Sequence, residues 1–357
     1  MTRTLLIVGA SGRAAAASAV RAGWQPVVID LFADEDTRAM GPVFQCPLEE
    51  YPHGFIALAE RAPPGPWMYT GGLENDPDVV EAISQSRILY GTPPDVLKRV
   101  RDPFELAALV PMPAMRRFRE PIEPGSRWLR KLLRGAGGFG IDDLTSPLDE
   151  REYAQEFLDG DAHSALFLCS ERWPAELIGV CSQLVGERWL NAPRFRYCGN
   201  IGPLPMEDGL AVELSSVGEV LRRLGVRGLA GIDFIRKPNG VRVLEVNPRY
   251  TASVELYERA FGVALTGHVV SEWFFGDPEL KDRPRSTRIC GKAILYAERT
   301  FAVPADHPWR GPDFADIPTV GSVIPAGQPV VTLFASADTE PECRERLMEL
   351  ARASAPR

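Results

Sequence analysis

Apolar residues run almost unbroken through Thr4–Val8, give way at Gly9-Ala10-Ser11-Gly12-Arg13, and resume at helical spacing in the alanine-rich stretch Ala14–Ala22. A short apolar run closed by glycine predicts a buried strand, and the following stretch predicts a helix packed on it. Gly23 stops that helix and Val27–Asp30 supplies a second strand, which completes a βαβ unit. The run Trp67–Thr70, the loop Gly71–Asn75, a helix over Asp78–Ser84 and the run Ile88–Tyr90 extend the pattern. Residues 1–92 therefore predict a small doubly wound domain.

Gly91-Thr92-Pro93-Pro94 breaks the pattern and marks a boundary. Helices over Asp95–Val100 and Pro103–Leu109 follow, then a strand at Trp128–Leu133 that enters the glycine loop Gly135-Ala136-Gly137-Gly138-Phe139-Gly140. Tyr153–Leu158 predicts a strand ending in an Asp159-Gly160 turn, and Ser164–Cys169, Glu176–Leu184 and Glu187–Asn191 predict successive antiparallel strands. A helix over Ala211–Leu224 leads into Gly231–Ile235 and Leu244–Asn247, two short runs separated by the turn signal Lys237-Pro238-Asn239-Gly240. A helix over Ser253–Phe261 closes a second domain, 93–281. The basic, proline-containing segment at 281–285 opens a small β-rich domain, 282–357, with a strand at Val330–Ala335 and a last helix at Pro341–Ala351. The fold class expected is α/β plus α+β.

Bulk composition narrows the function. A net charge of −8 argues against a general nucleic-acid binder, which needs an excess of Lys and Arg. No run reaches the length of a bilayer-spanning helix, and the start lacks a signal-peptide layout, so a cytoplasmic protein is expected. The six cysteines are scattered with no CxxC pair, which excludes a zinc or disulfide reading, and none has the His/Asp company of a thiol nucleophile.

The chemistry concentrates in the hairpin. Glu245 and Asn247 are two residues apart and share one face of a strand, with Asp233 on the strand opposite. Two carboxylates and an amide oxygen form a hard-oxygen set suited to Mg²⁺ carrying nucleotide phosphates, against the bland reading of a solvated acidic edge. Arg249 adds a fixed cation beside them. Upstream, Lys131 precedes the glycine loop, where Gly137, Gly138 and Gly140 let backbone N–H groups approach phosphate oxygens. The strand Gln155-Glu156-Phe157-Leu158 offers a backbone edge for an adenine ring.

This order, strand lysine, glycine loop, strand edge, acidic hairpin, resembles the ATP-grasp superfamily, in which two α+β subdomains clamp ATP. The resemblance implies an ATP-grasp fold with an N-terminal Rossmann-like domain and a small β-rich C-terminal domain related to that of biotin carboxylase. Trp128-Leu129-Arg130-Lys131, Gly72-Leu73-Glu74-Asn75, the segment 245–255 and Asp316-Ile317-Pro318 resemble a group of predicted ATP-dependent carboligases, some linked to methanopterin and methanofuran one-carbon metabolism. It implies ATP and Mg²⁺ as cofactors, with Asp233, Glu245 and Asn247 on the metal. Lys131 and Arg249 would act on the phosphates as catalytic cations, Glu156 and Leu158 on adenine, and Asp161 or His163 near the ribose. Relatives place an earlier lysine where this chain offers Arg101, and proline where it has Leu132. Such relatives are often homodimers.

The turn at Gly9–Arg13 with Asp30 mimics a dinucleotide fingerprint, but its glycines are wrongly spaced. A tight strand-to-helix turn is the reading taken, with Ser11, Gly12 and Arg13 holding the non-nucleotide substrate at the helix N-terminus. Glu74 and Asn75 follow a strand end and serve as substrate contacts, unless Asn75 or Asp76, before Pro77, simply caps the next helix; Glu255 is a further substrate candidate. The expected activity is an ATP- and Mg²⁺-dependent carboxylate–amine ligase that forms an acyl phosphate and releases ADP, with small-molecule partners. A bicarbonate-using carboxylase and a catalytically silent nucleotide binder are the alternatives.

Overall fold

The computed structural model describes residues 3–122, 125–267, 269 and 288–355. The expected boundary at 281/282 and its basic segment lie outside the described residues.

The first domain is built on a parallel sheet in the order Val43–Gln45, Trp24–Asp30, Arg3–Val8, Trp67–Tyr69. Leu5, Leu6, Ile7 and Val8 are fully buried, as a parallel strand covered on both faces must be. The helix Arg13–Arg21 starts at Gly12, where a Cβ would sit 2.4 Å from Val28 Cγ1, so helix and sheet meet there only because the residue is glycine. Ile88–Tyr90 contributes no strand, only an isolated bridge between Trp67 and Leu89. A helix at Gly54–Arg61, unread in the sequence, packs Phe55 and Ala59 into this core.

Beyond it the described residues form a two-stranded antiparallel sheet, Phe301–Ala302 with Val323–Ile324, and two larger ones. The smaller runs Met115–Arg117, Glu152–Glu156, Trp128–Leu132, Asp142–Asp143. The larger runs Gly240–Asn247, Gly228–Lys237, Ala162–Cys169, Glu176–Val185, Tyr197–Gly202, Ile289–Tyr296, Pro329–Ala337, Phe314–Ala315. The expected C-terminal domain thus adds its strands to the sheet that carries the acidic hairpin, through pairing of Tyr197–Gly202 with Ile289–Tyr296. The predicted strand Glu187–Asn191 is instead a 3₁₀ turn at Arg188–Leu190. A bulge between Leu184 and Val185 and left-handed backbone at Gly186 and Asn191 end the pairing there.

One face of the large sheet is covered by the helix Asp208–Leu224, which buries Leu210, Leu214, Val217, Leu221 and Leu224 against Phe167, Ile232 and Phe234. That four-three spacing is the apolar stripe of an amphipathic helix. The helix Glu340–Ser354 continues the cover with Leu347 and Ala351. The helix Val254–Phe261 and the first domain close the opposite face over Leu166, Leu168 and Cys181. All six cysteines are buried and reduced, and burial pushes Cys181 to about 11 and Cys198 to about 12, which keeps both as thiols.

Candidate active site

Between the two larger antiparallel sheets lies a cleft of about 780 Å³. Its walls include Lys131, the glycine loop, Gln155 to Leu158, Asp233, Glu245, Asn247 and Arg249. Residues scattered over more than a hundred positions of sequence meet there because the hairpin and the loop-bearing strand belong to sheets that face each other.

In the hairpin, Asp233 and Glu245 are direct cross-strand partners, and Asn247 pairs with Gly231. A bulge beside them, between Asp233 and Phe234, turns the strand at the site. The Asn247 amide nitrogen lies 3.3 Å from Asp233 Oδ2 and 3.2 Å from Glu245 Oε1, and Gln183 Nε2 donates to Asp233 Oδ1 at 2.7 Å. Burial and the neighbouring Glu245 charge push the Asp233 carboxyl well above the usual range. Burial works against ionisation of Glu245 as well, but Arg101 and Lys131 outweigh it and hold that carboxyl at about 2. Two acids forced together, with one resisting ionisation, form a hard-oxygen set that a divalent cation would neutralise, so the donor chemistry fits Mg²⁺. To act as a ligand, Asn247 would present Oδ1, which now accepts from Arg249 at 3.2 Å, in place of its nitrogen; the two ends exchange by a half-turn of the amide.

Cations frame this pair. Lys131 is buried opposite Tyr153, and its Nζ donates to Gln155 Oε1 at 3.1 Å. Arg249 is aimed by Glu74, which accepts from Nε at 2.7 Å and is itself buried, with its second oxygen unpartnered. Arg101 ends the helix Pro94–Val100 with its NH1 3.9 Å from Glu245 Oε2. Its guanidinium also donates to Asn75 Oδ1, Gly135 O and Val246 O, each at 2.8 Å. It serves protein acceptors, unlike a free phosphate-seeking lysine.

The glycine loop is docked. The Gly137 carbonyl accepts from Tyr197 N at 3.1 Å, and Gly137, Gly138 and Gly140 all have positive φ. A Cβ on Gly138 would lie 1.9 Å from the Phe195 carbonyl oxygen, so no other residue permits this approach. At the far end, the Glu156 N–H is taken by Ala114 O and the Phe157 N–H by Arg127 O, which leaves the edge from Leu158 onward facing the cleft. His163 stacks on Phe234 and its Nδ1 lies 2.9 Å from Asp161 O; both residues line the cleft.

The first-domain candidates lie elsewhere. The N-terminus of the helix Arg13–Arg21 already faces an anion, because Gly12 N donates to Asp30 Oδ2 at 3.1 Å. Arg13 is buried and paired with Glu255 through both terminal nitrogens, and with Asp316 at 3.0 and 3.1 Å. Lys292 also donates to Glu255, at 2.9 Å. Arg13 and Glu255 therefore satisfy each other, and these two, like Ser11, Gly12, Glu74 and Asn75, are not on the cleft wall. Of the two residues expected to cap the helix Pro77–Ser84, Asp76 takes the N-cap position, with no side-chain bond.

Gln183, Tyr197 and Asn200 on the cleft wall escaped sequence reading. Gln183 had a signal, a polar residue inside an otherwise apolar strand. Asn200 had none, because Tyr197–Gly202 holds two glycines and shows no clean alternation.

Comparison with known proteins agrees with this geometry. Residues 103–253 match the family model described as an ATP-grasp domain. An uncharacterized protein of Methanocaldococcus jannaschii is 27% identical over 223 residues, which are 60% of this chain and 52% of that protein, so the chain spans about half the length of this curated relative. The L-amino acid ligase of Bacillus licheniformis superposes with a TM-score of 0.71 at 14% identity over 99% of this chain and 98% of its own. The biotin carboxylase of Campylobacter jejuni, solved with a β,γ-ATP ligand, gives 0.74 at 14% identity over 99% of this chain and 91% of its own. Among the described residues no helix is long and apolar enough to cross a membrane. The glycine loop and the acidic hairpin on the cleft wall thus fall within or beside an ATP-grasp domain at 103–253, and the chain shares the fold of these solved structures along nearly its whole length.

Proposed function

We propose that this protein is an ATP- and Mg²⁺-dependent ligase that joins a carboxylate to an amine and releases ADP. The observation that carries the reading is the cross-strand pair Asp233/Glu245, flanked by Lys131 and Arg249 in a cleft beneath a docked glycine loop. A substrate carboxylate oxygen attacks the γ-phosphorus of ATP, the bond to the β,γ-bridging oxygen breaks, and ADP departs. The amine nitrogen then attacks the acyl carbon of the acyl phosphate; phosphate leaves and the nitrogen loses a proton. Mg²⁺ held by Asp233, Glu245 and Asn247 would neutralise charge on the phosphate oxygens. Lys131 and Arg249 add fixed positive charge where negative charge gathers, and positioning supplies most of the rest. Gly137, Gly138 and Gly140 present backbone N–H groups to the triphosphate and shield the acyl phosphate from water. Glu156, Leu158, Asp161 and His163 form the adenosine end.

The test is ADP release with Mg²⁺ across paired acids and amines, including glutamyl donors and pterin- or furan-type cofactor precursors, the substrate class suggested by the carboligase resemblance. ADP formation that requires both partners supports the ligase; AMP and pyrophosphate overturn it. The likeness to biotin carboxylase favours a second reading, in which bicarbonate is the acid. ADP release driven by bicarbonate with no organic acid would select it.

A further inference from the structure

One contact joins three parts of the molecule without touching the reacting atoms. Asn75 ends the loop after the strand Trp67–Tyr69 of the first domain and is 8% exposed. Its Oδ1 accepts from Arg101 Nε at 3.1 Å and NH2 at 2.8 Å, while its Nδ2 donates to the carbonyl of Gly135 at 3.2 Å. Gly135 is the first residue of the glycine loop, and the same carbonyl accepts from Arg101 NH2 at 2.8 Å. Arg101 NH1 donates to Val246 O, between the two acidic-hairpin positions Glu245 and Asn247. Both ends of one amide and three nitrogens of one guanidinium are thus spent on holding the base of the loop, the first domain and the hairpin at fixed separations. A lysine has no fork and could not make these bonds together.

We propose that Asn75 and Arg101 are positioning residues that clasp the base of the glycine loop, ordering it over the nucleotide before the nucleotide arrives. The inference rests on the ATP site described above. Its mechanism is preorganisation: a loop already held pays less ordering entropy on binding. Arg134, next to the clasped carbonyl, is exposed and reports on the loop as a tryptic site.

Asn75→Ala, Asn75→Asp and Arg101→Lys are compared with the wild type. Mg²⁺-adenylyl imidodiphosphate affinity is measured by calorimetry, and cleavage after Arg134 is timed by mass spectrometry without nucleotide. Asn75→Asp keeps the bond to Arg101 while losing the donor to Gly135, and so remains testable if the alanine variant fails to fold. The expected result is faster cleavage after Arg134 in every variant and an approximately tenfold weaker nucleotide, equal to about 1.4 kcal/mol. Wild-type cleavage and affinity in folded variants, even with a lowered Tm, would overturn the proposal and leave a purely structural joint. A wild-type protein that binds no nucleotide would instead defeat the ATP-site reading, while the cleavage rates still decide the clasp.

Discussion

At the scale of single residues, the site is defined by an electrostatic conflict. Asp233 and Glu245 face each other across one hairpin, and only Glu245 has enough cationic company to stay ionised easily. Glu245→Gln removes one of the two facing charges and so relieves the repulsion. The variant should therefore keep its fold and, without Mg²⁺, melt no lower than the wild type. Mg²⁺-dependent ADP release should fall by about 100-fold or more, the usual scale for losing one preorganised electrostatic group. Melting with and without Mg²⁺ and nucleotide, beside a turnover assay, separates the two effects. Near-normal turnover would remove Glu245 from the metal site. The same balance of charges explains Glu74: one buried oxygen fixes Arg249, a contact across 175 positions that a strand-end acid does not announce.

At the scale of elements, the hairpin was readable because its information is local. Turn residues, period-two alternation and three oxygen donors all sit within fifteen residues, Asp233 to Asn247. The glycine loop was readable in composition but not in position. Its docking depends on Phe195 and Tyr197, some sixty residues later, in a segment with no strand-like alternation. The same limit hid the pairing of Tyr197–Gly202 with Ile289–Tyr296, and so concealed that the C-terminal strands extend the ATP-grasp sheet. The partners of the first helix's start were hidden for a related reason: Gly12 N donates to Asp30 of the same domain, while Arg13 pairs with Glu255 and Asp316, more than two hundred residues away. Docking yields its own prediction. Gly138→Ala places a methyl against the Phe195 carbonyl and disfavours a φ of 77°, so the loop must lift. Nucleotide affinity should drop about tenfold or more, from a penalty of about 1–2 kcal/mol in the docked state. The Tm should hardly move, because the loop adds little to the core. Equal affinity in calorimetry would show that the docked loop is not the binding conformation.

At the scale of the whole molecule, Arg13 of the first domain lies buried between Glu255 of the helix Val254–Phe261 and Asp316 of the C-terminal region, and Lys292 donates to the same Glu255 oxygen as Arg13. Burial opposes ionisation of Glu255 and Asp316, yet Arg13 and Lys292 outweigh it and hold both carboxyls below their usual range. Such depressed acids contribute stability that is complete above their unfolded values of about 4 and is lost as pH falls toward the folded ones. Asp30, Asp34 and Asp36 close by are shifted the other way, chiefly by burial, so their burden eases on mild acidification from neutrality. Arg13→Met strips the buried Glu255 and the half-buried Asp316 of their shared partner. At pH 7 it should cost about 3–5 kcal/mol, the scale for breaking a buried ion pair from one side. The deficit should shrink as pH falls below about 4, where Glu255 and Asp316 of the variant are protonated but those of the wild type resist protonation. Urea midpoints of both proteins across pH 3–7 measure that difference directly. A deficit that stays constant with pH would mean that Arg13 joins the three regions by its shape and packing, and that the charges it sits among contribute nothing to holding them together.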